Sequence, residues 1–87
     1  MEMMNRVAVI TGGSGGIGKA MAKAFLAEGA KAVVLADLNA DAVATAAKEI
    51  GCSGKTCDVT DESQVAALVN ETIAEHGKID LFCSNAG

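Results

Sequence analysis

The sequence predicts an α/β fold built on a doubly wound parallel sheet, and three observations carry that expectation. Short apolar runs alternate with segments of helical periodicity along the whole chain. The runs at residues 7–10 and 32–36 are continuous rather than alternating in polarity, as in strands covered on both faces. A glycine-rich stretch, Thr11-Gly12-Gly13-Ser14-Gly15-Gly16-Ile17-Gly18, lies directly between the first run and the first helical segment. Strand, bare turn, helix is the arrangement that brings a phosphate close to backbone N–H groups and to the positive end of a helix dipole.

The elements follow in order. Residues 7–10 form the first strand. A helix opens near Gly16 with Ile17, Met21, Ala24 and Phe25 on one face, and Gly29 ends it. The apolar run 32–36 is the second strand, closed by Asp37. The second helix spans 40–50, with Val43, Ala46, Ala47 and Ile50 as its buried stripe and Gly51 as its stop. A short third strand covers 55–57. Thr60 is the expected N-cap of a third helix, with Asp61 and Glu62 favouring its positive end. That helix is expected to bury Val65, Leu68, Val69, Thr72 and Ile73 and to finish at His76 and Gly77. Residues 79–83 supply the fourth strand. Successive βαβ units with right-handed crossovers give the strand order 3-2-1-4.

Composition narrows the functional classes. Eighty-seven residues suit one small domain, 1–87, and the net charge of −4 offers no basic cluster for a nucleic-acid backbone or an anionic membrane. No apolar stretch approaches the roughly 20 residues that span a bilayer. The first six residues are too short and polar for a secretion signal. Cys52, Cys57 and Cys83 have no Cys-x-x-Cys spacing and His76 stands alone, so neither a disulfide framework nor a metal site is expected, and a reducing, cytoplasmic setting fits.

The glycine turn fits three templates. The dinucleotide pattern G-x-G-x-x-G is met by Gly13, Gly15 and Gly18. The pattern T-G-x-x-x-G-x-G is met by Thr11, Gly12, Gly16 and Gly18. The triphosphate-loop pattern G-x-x-x-x-G-K-[ST] is met by Gly13, Gly18 and Lys19 but broken at Ala20, which has no hydroxyl for Mg²⁺. Asp37 lies 19 residues beyond Gly18, near the roughly 20 expected of the acid that binds an adenosine ribose. A carboxylate there accepts from ribose hydroxyls and repels a 2′-phosphate. Leu38 and Asn39 follow it, with no Arg or Lys to compensate, so NAD is expected over NADP. A methyltransferase carries a similar turn and acid and stays open as an alternative, as does a free-standing NAD-binding or sensing module.

Together, Thr11-Gly12-x-x-x-Gly16-x-Gly18, Asp37, Asp58-Val59 and Asn85-Ala86-Gly87 resemble the classical short-chain dehydrogenase/reductases, with a Rossmann-type sheet. The resemblance implies that Gly12, Ser14, Gly15, Gly16 and Gly18 form the phosphate turn and that the Ile17 N–H meets the pyrophosphate. It implies that Asp37, with Leu38 beside it, takes the ribose and that Asp58 and Val59 take the adenine. Asn85, Ala86 and Gly87 would border the cofactor at the end of strand four. The family commonly has Asn-Asn-Ala-Gly there, and this chain has Ser84-Asn85-Ala86-Gly87. The family's Tyr, its Lys four residues later and its Ser map to nothing here, because the chain has no Tyr and its serines fall in the cofactor half. No catalytic and no metal residue is therefore assigned. The expectation is the N-terminal cofactor-binding part of a longer NAD-dependent oxidoreductase, truncated after strand four. The complete enzyme would exchange hydride with a small alcohol or ketone and would form a homo-oligomer, while the 87-residue chain alone would be inactive.

Overall fold

The computed structural model describes residues 3–85. Strands β1 (Val7–Thr11), β2 (Ala32–Asp37), β3 (Ser53–Thr56) and β4 (Leu81–Ser84) alternate with helices α1 (Gly16–Ala27), α2 (Ala40–Ile50) and α3 (Glu62–His76). The sheet order is β3-β2-β1-β4, and every pairing is parallel. This is the doubly wound, Rossmann-type arrangement with the order 3-2-1-4.

The core explains why the sheet has two covered faces. Strand β1 is buried at all five positions because it lies between two neighbours and two helical layers. Ile10, Val33 and Leu35 point to one face, where Ala22 of α1 and Val43, Ala46 and Ala47 of α2 pack on them. Val9, Val34 and Ala36 point to the other, against Leu68 of α3, with Cys57 beside them. Burial of each such Val, Leu or Ile contributes about 1.5–3 kcal/mol, so these short strands supply much of the driving force. Among the described residues, no helix is long and apolar enough to cross a membrane.

The element edges differ from expectation in instructive ways. Strand β1 runs one residue further, through Thr11, because Thr11 pairs with both Ala36 and Ser84. Strand β3 starts two residues earlier and ends one residue earlier than the apolar pattern suggests. Gly54 pairs with Leu35 at a point where a side chain would meet Ala47 Cβ at 2.9 Å, so close packing of α2 outweighs local β propensity. Strand β4 starts at Leu81, since Asp80 is occupied as a side-chain acceptor for the Val7 N–H at 2.8 Å. The N-cap of α3 is Asp61 rather than Thr60: its carboxylate accepts from the Ser63 and Gln64 amides, while Thr60 is turned back onto Asp58.

Two helix stripes are narrower than the periodicity implies. In α1 the residues that reach the interior are Gly18 and Ala22, with Met21 and Phe25 half-buried; Ala24 is exposed and Ile17 is 73% exposed. In α3 only Leu68 and Thr72 are buried, Val65 and Val69 are half-buried, and Ile73 is 44% exposed. Phe82 pairs with Val9 and so lies on the α3 face of the sheet, yet it is 42% exposed, because no described strand flanks β4 on its outer side.

Candidate nucleotide-binding site

The site forms where β1 gives way to α1. After Thr11 the chain reverses at Gly12, whose φ of 68° is the left-handed conformation that side chains resist. The Gly13 N–H donates to the Ala36 carbonyl at 3.1 Å, tying the turn to β2, and the Gly15 N–H closes on the Gly12 carbonyl at 3.2 Å. Helix α1 then starts so close to the turn that a Cβ on Gly18 would stand 2.7 Å from the Gly12 carbonyl oxygen and 2.8 Å from Gly13 Cα. Only glycine permits that approach. Gly16, by contrast, faces open space.

The three helix N-termini are not alike. The Asn39 side chain caps α2 by accepting from the Ala42 N–H, with Asp41 in the first turn. Asp61 caps α3, with Glu62 in the first turn. Helix α1 has Gly15 at its N-cap, no side-chain cap and no acid in its first turn. Among the described residues, no protein oxygen accepts from the N–H groups of Gly16, Ile17 or Gly18, and the first further bond is Lys19 N–H to the Gly15 carbonyl. Orphaned donors at a dipole's positive end are an anion site left for a ligand.

Parallel pairing carries the sequence-remote acids to the same end of the sheet. Asp37 closes β2 next to the turn, and its Oδ2 accepts from both the N–H of Ser14, at 3.1 Å, and the Ser14 hydroxyl. Its Oδ1 accepts from the Asn39 N–H at 3.3 Å. Burial pushes the Asp37 carboxyl up, but the donors from Ser14, Asn39 and Leu38 together outweigh it and hold the group below the usual carboxylate value. The Cys57 N–H donates to the Asp37 carbonyl at 2.8 Å, which sets the next acid, Asp58, beside the first. Asp58 Oδ1 accepts from the Thr60 hydroxyl at 2.7 Å and the Thr60 N–H at 2.9 Å, and these bonds lower its pKa.

A cavity of about 190 Å³ is lined by Gly12, Asp37, Leu38, Cys57, Asp58, Val59 and Thr60. It therefore gathers Gly12, both acids, Leu38 and Val59, five of the residues singled out from the sequence. Leu38 is 68% and Val59 40% exposed, so two apolar side chains line the slot alongside the two acids. Such a slot suits a flat heteroaromatic ring with polar edges. Cys57 and Thr60 are the lining residues that sequence reading did not assign to it. A larger, open groove of about 440 Å³ lies outside Ser14 and is lined also by Lys19, Asn39, Asp41, Thr45 and Glu49.

Across the turn, the Asn85 N–H donates to the Thr11 carbonyl at 3.3 Å, and its side-chain amide contacts Met21 Sδ at 3.2 Å. The end of β4 thus stands on the opposite side of the turn from the two acids. Ala86 and Gly87 lie outside the described residues. Among the described residues no group of three or more His, Cys, Asp and Glu side chains converges on a metal position. Burial pushes all three thiols up, with the Asp58 charge adding to this at Cys57, so they stay protonated at neutral pH.

Comparison with known proteins gives the family and bears out the fold. The model of the short chain dehydrogenase family matches residues 6–87. Over 88 residues the chain is 48% identical to (+)-borneol dehydrogenase 1 of Salvia officinalis, covering 99% of this chain and 34% of that protein. It is 43% identical over 89 residues to the mitochondrial (-)-isopiperitenol/(-)-carveol dehydrogenase of Mentha piperita, with the same coverage of 99% and 34%. Among solved structures, NAD⁺-bound xylitol dehydrogenase superimposes with a TM-score of 0.85 at 35% identity, covering 100% of this chain and 35% of that one. The chain spans about a third of the length of the curated relatives it matches. It belongs to the short-chain dehydrogenase family.

Proposed function

We propose that this member of the short-chain dehydrogenase family binds NAD and forms the cofactor-binding part of a dehydrogenase that interconverts a small alcohol and its carbonyl compound. The observation that carries the reading is the uncapped start of α1, with the Asp37 carboxylate bonded to the adjoining turn. The Gly16, Ile17 and Gly18 amides would hold the pyrophosphate, Asp37 the adenosine ribose, and the slot between Leu38 and Val59 the adenine, with Asp58 at its polar edge. Asn85 would border the nicotinamide side. When bound, the cofactor supplies a nicotinamide ring that accepts or donates hydride.

The preference for NAD follows from charge. A 2′-phosphate would meet the ionised Asp37 and the groove outside Ser14, where Asp41 and Glu49 outnumber Lys19. Lys19 is already 4.0 Å from Glu49. Proton transfer to or from the substrate needs groups this chain does not hold, since it has no Tyr. We therefore read the chain of 87 residues as inactive alone toward alcohols.

Calorimetric titration with NAD, NADP, ATP–Mg²⁺ and S-adenosylmethionine tests the reading. NAD should bind at least about tenfold more tightly than NADP, a difference of about 1.4 kcal/mol, and the other two should not bind. Binding of S-adenosylmethionine or ATP–Mg²⁺ in place of NAD would reverse it. Oxidation of alcohols by the purified chain with NAD would overturn the expectation of inactivity.

A further inference from the structure

We propose that Gln64, in the first turn of α3, is a positioning residue for the adenine end of the slot: its side-chain amide ties the Asp58 main chain to the cap of the helix and so fixes how Asp58 and Val59 meet a base. The inference rests on the reading of the slot as the adenine site. Asp58 needs such a tie because the sheet ends before it. Strand β3 stops at Thr56, and among the described residues the last main-chain bond from this segment to β2 is the Cys57 N–H to the Asp37 carbonyl. The Asp58 N–H has no strand partner and donates instead to Gln64 Oε1 at 2.9 Å.

A Gln at the third position of a helix ordinarily reaches back to the N–H of the capping residue. Here the cap is Asp61, and its N–H is already given to the Asp58 carbonyl at 3.1 Å. Gln64 therefore passes over the cap and takes the Asp58 N–H, while its Nε2 donates to Asp61 Oδ2 at 3.2 Å. Turned over, the amide would set a donor against the Asp58 N–H and an acceptor against the carboxylate, so the two bonds fix one orientation. Asp58 is thereby held at its N–H by Gln64, at its carbonyl by the Asp61 N–H, and at Oδ1 by the Thr60 N–H and hydroxyl. Among the described residues no donor reaches its Oδ2 and no acceptor reaches the Val59 N–H. An acceptor beside a donor matches the amino group and adjacent ring nitrogen of adenine, and mismatches the carbonyl and N–H of hypoxanthine. Hydrogen bonds weaken steeply with misalignment, so a turn of the Asp58 main chain would spoil that match. Losing the Gln64 bond should lower the preference for adenine and leave the grip on the rest of the dinucleotide.

The test measures binding of NAD and of nicotinamide hypoxanthine dinucleotide to the wild-type chain, to Gln64→Met and to Gln64→Glu, with circular dichroism confirming the fold of each. The wild type should prefer NAD by about tenfold, the size of one hydrogen bond to a charged group. Gln64→Met, of similar length but with no acceptor for the Asp58 N–H, should narrow that preference to about threefold or less by weakening NAD alone. The hypoxanthine compound should bind this variant within about twofold of the wild type, whereas a merely structural loss would weaken both ligands alike. Gln64→Glu keeps the acceptor and should recover the wild-type preference. Exchange of the Asp58 amide proton, followed by nuclear magnetic resonance, should quicken in Gln64→Met and stay slow in Gln64→Glu. A Gln64→Met protein that keeps the wild-type preference, or that weakens both dinucleotides equally, overturns the positioning role and leaves the adenine slot standing. So does a Gln64→Glu protein that behaves as Gln64→Met. A wild type that binds the two dinucleotides equally overturns the adenine reading, and the inference with it.

Discussion

The same substitution two residues apart in α1 should have opposite effects on stability. A Cβ on Gly18 would lie 2.7 Å from the Gly12 carbonyl oxygen and 2.8 Å from Gly13 Cα. Carbon atoms in good contact sit about 3.5–4.0 Å apart, so roughly 1 Å must be found between the helix and the turn. Both obstacles are backbone, and Gly13 is bonded to β2, so no side chain can swing aside. Gly18→Ala should cost about 1–3 kcal/mol, as other overpacked interiors do. At Gly16, the first residue of α1, the new methyl meets nothing within 4 Å. There the loss of glycine's unfolded-state freedom should stabilise the chain by about 0.5–1 kcal/mol. With a urea slope of about 1 kcal/mol/M for a domain this small, the two midpoints should move apart by roughly 1.5–4 M. Function should run the other way at Gly16, because its methyl would stand among the free amides of Gly16, Ile17 and Gly18. Calorimetry should show NAD weakened by at least about tenfold in this more stable variant. A Gly16→Ala protein that binds NAD like the wild type, or that unfolds as early as Gly18→Ala, would refute the account of which glycine serves packing and which serves the ligand.

Removing the α3 cap by Asp61→Ala should lower stability by about 1 kcal/mol, read as a urea midpoint, with Asp61→Asn largely spared. Acid should act through the same groups. Hydrogen bonds from Ser63 hold Asp61 below its ordinary value, and the donors around Asp37 outweigh burial there, so both are depressed in the folded state. Their contribution is present above the ordinary carboxylate range and is lost as pH falls through the lowered folded values, below about pH 4. Unfolding midpoints at pH 7 and pH 3 should show the loss, and Asp61→Asn should blunt it. Lys55 has the opposite sign: its bond to Glu75 raises it, so that contribution is present at neutral pH and is lost as pH rises through the raised value. Strand β4 has no described neighbour on its outer side and carries the part-exposed Phe82. Phe82→Glu should therefore reduce concentration-dependent association in sedimentation velocity, and unchanged association would place the contact elsewhere.

Much of the candidate site's geometry was legible in the chain because its signals are local. The glycine turn, the strand before it and the acid ending the second strand are each written within a few residues, and the slot gathers Gly12, Asp37, Leu38, Asp58 and Val59. The misreadings lie where two segments compete for one group. Thr60 has the chemistry of an N-cap, but Asp58 two residues before it claims its hydroxyl and Asp61 takes the cap. Ile17 fits the apolar stripe of α1, but the helix approaches the turn through Gly18 and leaves Ile17 outward. Ser14 read as a turn residue, and nothing near it in sequence marks its bond to Asp37.

Hydrophobic period and turn chemistry, read along the chain, determined the order and type of the elements, the parallel sheet and the residues that gather at one end of it. Those depend on each residue's own preferences and its neighbours within a helical turn. Only the tertiary structure decided which donor meets which acceptor there: that α1 keeps its amides free while α2 and α3 are capped, and that Ser14 and Asp37 share a hydrogen-bonded link. Those matches hang on strand register and on backbone angles at the strand ends, where an ångström of displacement makes or breaks a bond.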